Sequence, residues 1–161
     1  MTFENTAGLG VLKHYGPRTT NQKYGGKVPD DLVKFAAWTF NYNDLPDAAS
    51  DKLGVSLPAY AKILSARMEI LTAFTSTSTT TDLTVGLQTS GGTEIDDDGL
   101  LTAANATQTT IGTRGNFITG TGALVGASIG ATAGELVVTP SVADLLTGKA
   151  RVIVEYIVEG V

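Results

Sequence analysis

The chain has 161 residues and a formal net charge of −5, which allows one domain and an appended segment but not two hydrophobic cores. Hydrophobic residues make up 42% of the chain and charged residues 17%, which excludes a charge-rich disordered protein. The sequence has no Cys and one His, which excludes disulfides, thiolate ligands and multi-histidine metal sites. Gly (19) and Thr (24) are abundant, and both are poor helix formers. The composition therefore favours a structural β protein over an enzyme.

Residues 1–29 predict an extended N-terminal arm that precedes a body of residues 30–161. The arm contains five glycines and two prolines and shows no sustained period of 2 or 3.6, so it cannot bury enough apolar surface to fold alone. Apolar side chains nevertheless recur along it. We expect them to bind a partner surface, and they are Phe3, Leu9, Val11, Leu12, Tyr15 and Tyr24.

Charge divides the chain in the same way, with a net charge of +3 over residues 1–29 and −8 over residues 30–161. An acidic body is a poor nucleic-acid binder, because phosphate recognition requires clustered Lys and Arg. The four scattered cations of the arm fit an acidic protein surface as well as they fit nucleic acid. No export signal or membrane span is expected, since the uncharged stretch 115–134 is diluted by six glycines and several polar residues.

The first half of the body predicts three strands. Residues 33–42 alternate and form the first, and residues 47–56 are expected to be a loop or a short helical turn. Residues 59–74 fit either a helix or a long strand, and the strand is favoured because seven Ser and Thr residues follow them. Residues 82–88 alternate again, and we expect this third strand to form a hairpin with the preceding one.

The second half predicts a short helix over residues 98–107, capped by the acids at 96–98. Short strands are expected within 116–119, 123–129 and 135–139, followed by a turn at 142–146 that Gly148 closes. Residues 150–158 form the most regular strand, with Val152, Val154, Tyr156 and Val158 on one face. Together these segments predict an all-β fold, a β-sandwich for which a jelly roll is one possible arrangement, with the arm extended from it.

The acidic run from Glu94 to Gly99 has partial calcium-loop spacing. The match fails because the twelfth position is Asn105 instead of a bidentate Glu. A solvated, helix-capping acidic turn is the favoured interpretation, and no metal site or other cofactor is expected.

Three other features give little evidence for catalysis or ligand binding. The glycines between Gly120 and Gly126 have the wrong spacing for a dinucleotide loop and predict a turn. His14 lies in the arm without a local carboxylate partner, so no catalytic residue is expected. Trp38, Phe40 and Tyr42 share a strand face, which suits packing in the core or at a subunit interface; a stacking platform for carbohydrate or bases is the alternative.

Read together, several segments resemble the small capsid decoration (cement) proteins of tailed bacteriophages. The resemblance lies in the Gly-rich leader ending at residues 24–29, the strand from Ala59 that runs into a Ser/Thr turn and residues 83–87, the Thr/Gly-rich middle, and the closing segment 145–156. It covers most of the chain in layout, and none of its motifs is catalytic.

The resemblance implies a structural, non-enzymatic virion protein with a β-sandwich body, made in the host cytoplasm and located on the capsid surface. Such a protein binds the major capsid protein as a homotrimer and stabilises contacts between neighbouring capsomers. No nucleic-acid or membrane partner is implied. A carbohydrate-binding or receptor-binding module of a phage head or tail fibre remains the alternative.

Overall fold

The structure, a computed structural model, describes residues 33–45 and 51–158. The predicted arm and its six apolar residues lie outside the described residues, as does His14. Within the described part the chain forms eight strands and one single-turn helix. They are β1 (Lys34–Asn41), β2 (Asp51–Leu57), β3 (Ala61–Ser76), β4 (Leu83–Gln88), β5 (Glu94–Leu101), α1 (Gln108–Ile111), β6 (Phe117–Thr119), β7 (Gly134–Pro140) and β8 (Leu145–Val158).

The strands form two four-stranded antiparallel sheets, in the orders β1-β8-β3-β6 and β2-β7-β4-β5. The first strand pairs with the last, the second with the seventh, the third with the sixth and the fourth with the fifth. This is a long antiparallel ribbon that rolls over so that β8 also meets β3 and β7 also meets β4. The described residues therefore form a jelly roll, which confirms the predicted all-β sandwich and its suggested topology.

The core lies between the two sheets, where alternate residues of each strand face inward. From the first sheet come aromatic and aliphatic side chains, and Phe40 and Phe74 place their ring centroids 6.0 Å apart. Val152 and Val154 of β8 are fully buried, as the alternation predicted, whereas Tyr156 and Val158 are only half-buried. The second sheet contributes mainly leucines: Leu57, Leu83, Leu87, Leu101 and Leu136.

Local patterns misassigned three segments. Residues 51–57 are strand β2 rather than loop, and residues 94–101 are strand β5 rather than the start of a capped helix. The predicted hairpin of residues 59–74 and 82–88 is also wrong, because β3 and β4 belong to different sheets and the Ser/Thr turn crosses between them. A pattern of alternation identifies a strand and its buried face, but it does not identify the neighbouring strand.

Smaller deviations have local causes. Residues 123–129 form a turn with one isolated bridge, between Lys62 and Ser128, instead of a strand. β8 begins at Leu145, inside the turn predicted at 142–146. In β3 the register shifts between Ile63 and Ser65, and this shift leaves Leu64 41% exposed.

Gly148 has a packing role that only glycine can fill. It lies within β8 at a φ of +135°, and a Cβ at this position would overlap the ring of Phe74. Phe74 is itself buried against Phe40. β8 thus passes close over an aromatic ring of β3, and Gly148 lies within the strand instead of closing a turn as predicted.

Gly148→Ala is expected to lower the free energy of unfolding by about 2–4 kcal/mol, because backbone strain and overpacking against Phe74 combine. Gly126→Ala is the matched control: its φ is +89°, but nothing lies within 4 Å of the added methyl. Strain alone should cost about 1–2 kcal/mol there. Urea unfolding of both variants measures the difference, and equal losses would contradict the packing role of Gly148.

Candidate functional surface

One sheet presents a continuous face to the outside of the sandwich, opposite the core. This outer face belongs to β1-β8-β3-β6, and its residues follow from the strand register. One row across it runs Thr39, Arg151, Glu69, Phe117, and the next runs Ala37, Ile153, Arg67, Thr119. Charged side chains therefore occupy the two central strands, and uncharged side chains occupy the two edge strands.

The charges at the centre of the outer face are paired with one another. Arg151 donates to Glu69 from Nε at 3.1 Å and also from Nη2, and Arg67 donates to Glu155. The arginine side chains are 42% and 45% exposed, so each pair adds little to stability. Each arginine has a nearby carboxylate, and the centre of the face is close to neutral.

Apolar side chains surround these ion pairs. Phe35 on β1 is 63% exposed and Phe117 on β6 is 60% exposed, so the two edge strands each carry an exposed phenylalanine. Val33 and Leu64 are also exposed, near the end of the sheet at which the arm joins β1. Exposed aromatic side chains on a neutral face are typical of protein contact surfaces. Sequence alternation missed this surface because it identified the core-facing residues only.

The row of Trp38, Phe40 and Tyr42 is not a binding platform. Trp38 and Phe40 of β1 face the core and are 9% and 1% exposed, and Tyr42 lies in the 3₁₀ turn that follows the strand. The interpretation as core packing is therefore confirmed for Trp38 and Phe40. Trp38 Nε1 is buried and has no hydrogen-bond partner within the described ranges.

The acidic residues of β5 form a bulge in an edge strand. Between Val85↔Leu101 and Leu87↔Asp96 the register shifts, so that several residues of β5 oppose one residue of β4. Gly86 allows this close approach, because a Cβ there would overlap the backbone of the bulge. On the other side, Leu124 N donates to the carbonyl of Gly99 at 2.8 Å. The loop of residues 120–126 thus supports the acidic bulge.

Carboxylate oxygens of Asp96, Asp97 and Asp98 lie within 4.8 Å of one another. Partial burial, the hydrogen bond to Asp96 and the charges of Asp96 and Asp97 raise the pKa of Asp98 above its ordinary value of 3.8. Exposed acidic groups often cluster without an ion, and Asn105 bonds Thr102 and Thr121 instead of joining the three carboxylates. That no metal binds here stays a prediction.

Asp98→Asn is expected to raise the melting temperature by a few degrees at pH 7. A raised pKa in the folded state means that ionised Asp98 destabilises the fold, so its contribution to stability falls as the pH rises from 3.8 through the folded-state pKa. The amide removes the like charge and can donate to Asp96. The gain should vanish in acid, below pH 3.8, where Asp98 is protonated in both states.

Thermal unfolding from pH 3 to pH 8 measures this dependence, with Asp144→Asn as the matched control at an exposed aspartate outside the bulge. A stabilisation that is the same at every pH, or a loss of stability at pH 7, would contradict the electrostatic account of Asp98.

Comparisons with known proteins give a fold likeness. No protein-family model matches the sequence, and no curated protein matches it. A chain of the structure described as "Capsid of Ralstonia phage GP4" aligns with a TM-score of 0.53 and 19% identity, over 83% of this chain and 90% of that one. A chain of "Cyanophage Pam1 capsid asymmetric unit" aligns with a TM-score of 0.52 and 18% identity, over 80% and 86%. The three chains share a fold. The likeness spans most of each chain, so the shared unit is the jelly roll as a whole.

No helix in the described part of the chain is long and apolar enough to cross a membrane.

Proposed function

We propose that this chain is a structural protein of a bacteriophage virion that binds the outside of the capsid and stabilises contacts between neighbouring capsomers. The observation that carries the proposal is the likeness of nearly the whole jelly roll to chains of two phage capsid structures. The layout of the sequence, which resembles that of capsid decoration proteins, supports the same role independently. In this proposal the partner is the major capsid protein, and the chain acts as a homotrimer without a cofactor.

The surface of the body fits such a role. The outer face combines internally paired charges with exposed Phe35 and Phe117. A face of this kind gains binding energy by burying apolar area, and it pays little desolvation penalty for unpaired charge. Many copies on one shell act together, so a modest contact per copy is sufficient.

The arm adds a second type of contact in this proposal. Fully extended, its 29 residues reach about 95 Å at roughly 3.3 Å per residue, which exceeds the width of about 35 Å expected for a body of this size. Its six apolar residues are proposed to bind neighbouring subunits, and its four cations add a salt-dependent attraction to acidic surfaces.

The alternative, a carbohydrate-binding or receptor-binding module, loses its main support. It relied on Trp38, as part of an aromatic platform, and on the Thr-rich loops, but Trp38 and Phe40 are buried in the core. An enzymatic role has no support either: His14 is the chain's only histidine and lies in the arm, without a carboxylate nearby in the sequence.

Co-sedimentation tests the proposal. Shells assembled from the major capsid protein of the same genome are mixed with the purified chain and pelleted across a salt series. We expect saturable binding of the full chain and at least about tenfold weaker binding of a chain lacking residues 1–29, the loss expected for about 1.4 kcal/mol or more of contact energy.

Two results would contradict parts of this proposal. Failure of the full chain to pellet with shells at any salt concentration would overturn the capsid role, and saturable binding to a glycan array would favour the alternative. Equal binding by the full and shortened chains would leave the capsid role intact but remove the arm from it.

A further inference from the structure

The two sheets of the described residues have four edge strands, and three of them are protected against pairing with another chain. β6 is only three residues long, β5 carries the acidic bulge, and β2 has a register shift between Lys52 and Ser56. Short strands, bulges and charges are the usual means of blocking an edge. β1 differs from the other three.

β1 is a regular edge of eight residues, and its one charged residue, Lys34, stands at its first position. All eight residues from Lys34 to Asn41 pair with β8 in unbroken register, without a bulge or a proline. Among the described residues no strand pairs with the other side of β1. In an antiparallel pair about half of the strand's N–H and C=O groups point away from the partner. Within the described ranges, the outer side of β1 is therefore a row of donors and acceptors without a strand partner, and such a row is a template for one more strand.

One side chain also indicates an occupant at this edge. Phe35 projects from the outer face of β1 and is 63% exposed, so an added strand would cover part of its ring.

We propose that the β1 edge binds residues 8–15 of the arm of a second copy of this chain, which add to the sheet as an extra strand. These eight residues match the length of β1. Leu9, Val11 and Tyr15 fall on one face and Leu12 on the other, and Pro17 follows the segment.

The length of the connection favours a second copy over the chain's own edge. Seventeen residues, 16–32, separate the segment from Val33, where the described body begins. A strand that folds back onto its neighbour in sequence needs a loop of only about 2–5 residues. Seventeen residues span up to about 55 Å at roughly 3.3 Å each, more than the width of about 35 Å of the body. Repeated around a ring, this head-to-tail contact gives a closed oligomer.

This contact between copies does not depend on the capsid role, and its test needs no shells. The chain has no cysteine, so single cysteines report on chosen positions. Chains carrying Val11→Cys alone are mixed with chains carrying Ala37→Cys alone, an exposed position on β1, and treated with a short bismaleimide. We expect a cross-linked pair that contains one chain of each type. Thr119→Cys, exposed on the opposite edge strand β6, is the matched control and should give no such product with Val11→Cys.

Proline substitution gives a second measurement on the full chain. Val11→Pro removes a backbone donor inside the segment, whereas Asn21→Pro makes the same change in the connection. We expect light scattering to show an oligomer for the unaltered chain and for Asn21→Pro, and at least tenfold weaker association for Val11→Pro.

Three results would overturn the inference: a monomeric unaltered chain, no cross-link on mixing, or wild-type association of Val11→Pro. A chain carrying both cysteines that cross-links only within itself would assign the edge to its own arm. An oligomer with the expected cross-link that fails to pellet with shells would instead leave this inference standing and refute the capsid role.

Discussion

The pairing of β3 with β8 is the contact on which the rest of the sandwich depends. These are the longest strands, with 16 and 14 residues, and they pair from Ala61↔Val158 to Ser76↔Leu145. The pair joins the early part of the chain to its last described strand and places β1 on one side and β6 on the other. Gly148 permits the close approach near one end, because Phe74 occupies the space a side chain would need. Without this non-local pairing, neither the core nor the outer face could form.

The sequence predicts elements better than it predicts their neighbours. The strand over residues 150–158 was predictable because apolar and polar residues alternate along it, and this pattern fits half-buried strands and no helix. The β3–β4 hairpin was predicted wrongly, because the Ser/Thr turn indicates a reversal of the chain but not whether it stays in one sheet. Ser141 and Asp82 join the turns at this end through bonds at 2.9 and 3.0 Å between residues 59 positions apart, and no local pattern contains that information.

The acidic strand β5 shows a second limit of sequence reasoning. Three consecutive aspartates suggest a helix cap or a metal loop, because a regular strand would place their like charges close together. The structure accommodates them as a bulge that fits against glycine positions of two other segments, Gly86 and the loop at Gly122. The raised pKa of Asp98 is the electrostatic consequence. The bulge also disrupts the regular edge of β5. The aspartates that repel one another therefore also protect this exposed edge from pairing with another chain.

Unbalanced charge and the exposed phenylalanines lie on different parts of this chain, and this separation affects how the chain can bind a partner. At the centre of the outer face, Arg67 and Arg151 are matched by Glu155 and Glu69 of neighbouring strands, so this part of the face projects little field beyond a Debye length. Unbalanced charge lies elsewhere: the arm is positive and the remainder of the chain, including the β5 bulge, is negative. Long-range attraction can therefore orient the arm toward acidic surfaces, because opposite charges accelerate encounter. The outer face, by contrast, gains free energy only once Phe35 or Phe117 is covered, because the hydrophobic effect acts at contact. In the proposed role, the chain would therefore approach its partner through the arm and hold it through the sheet.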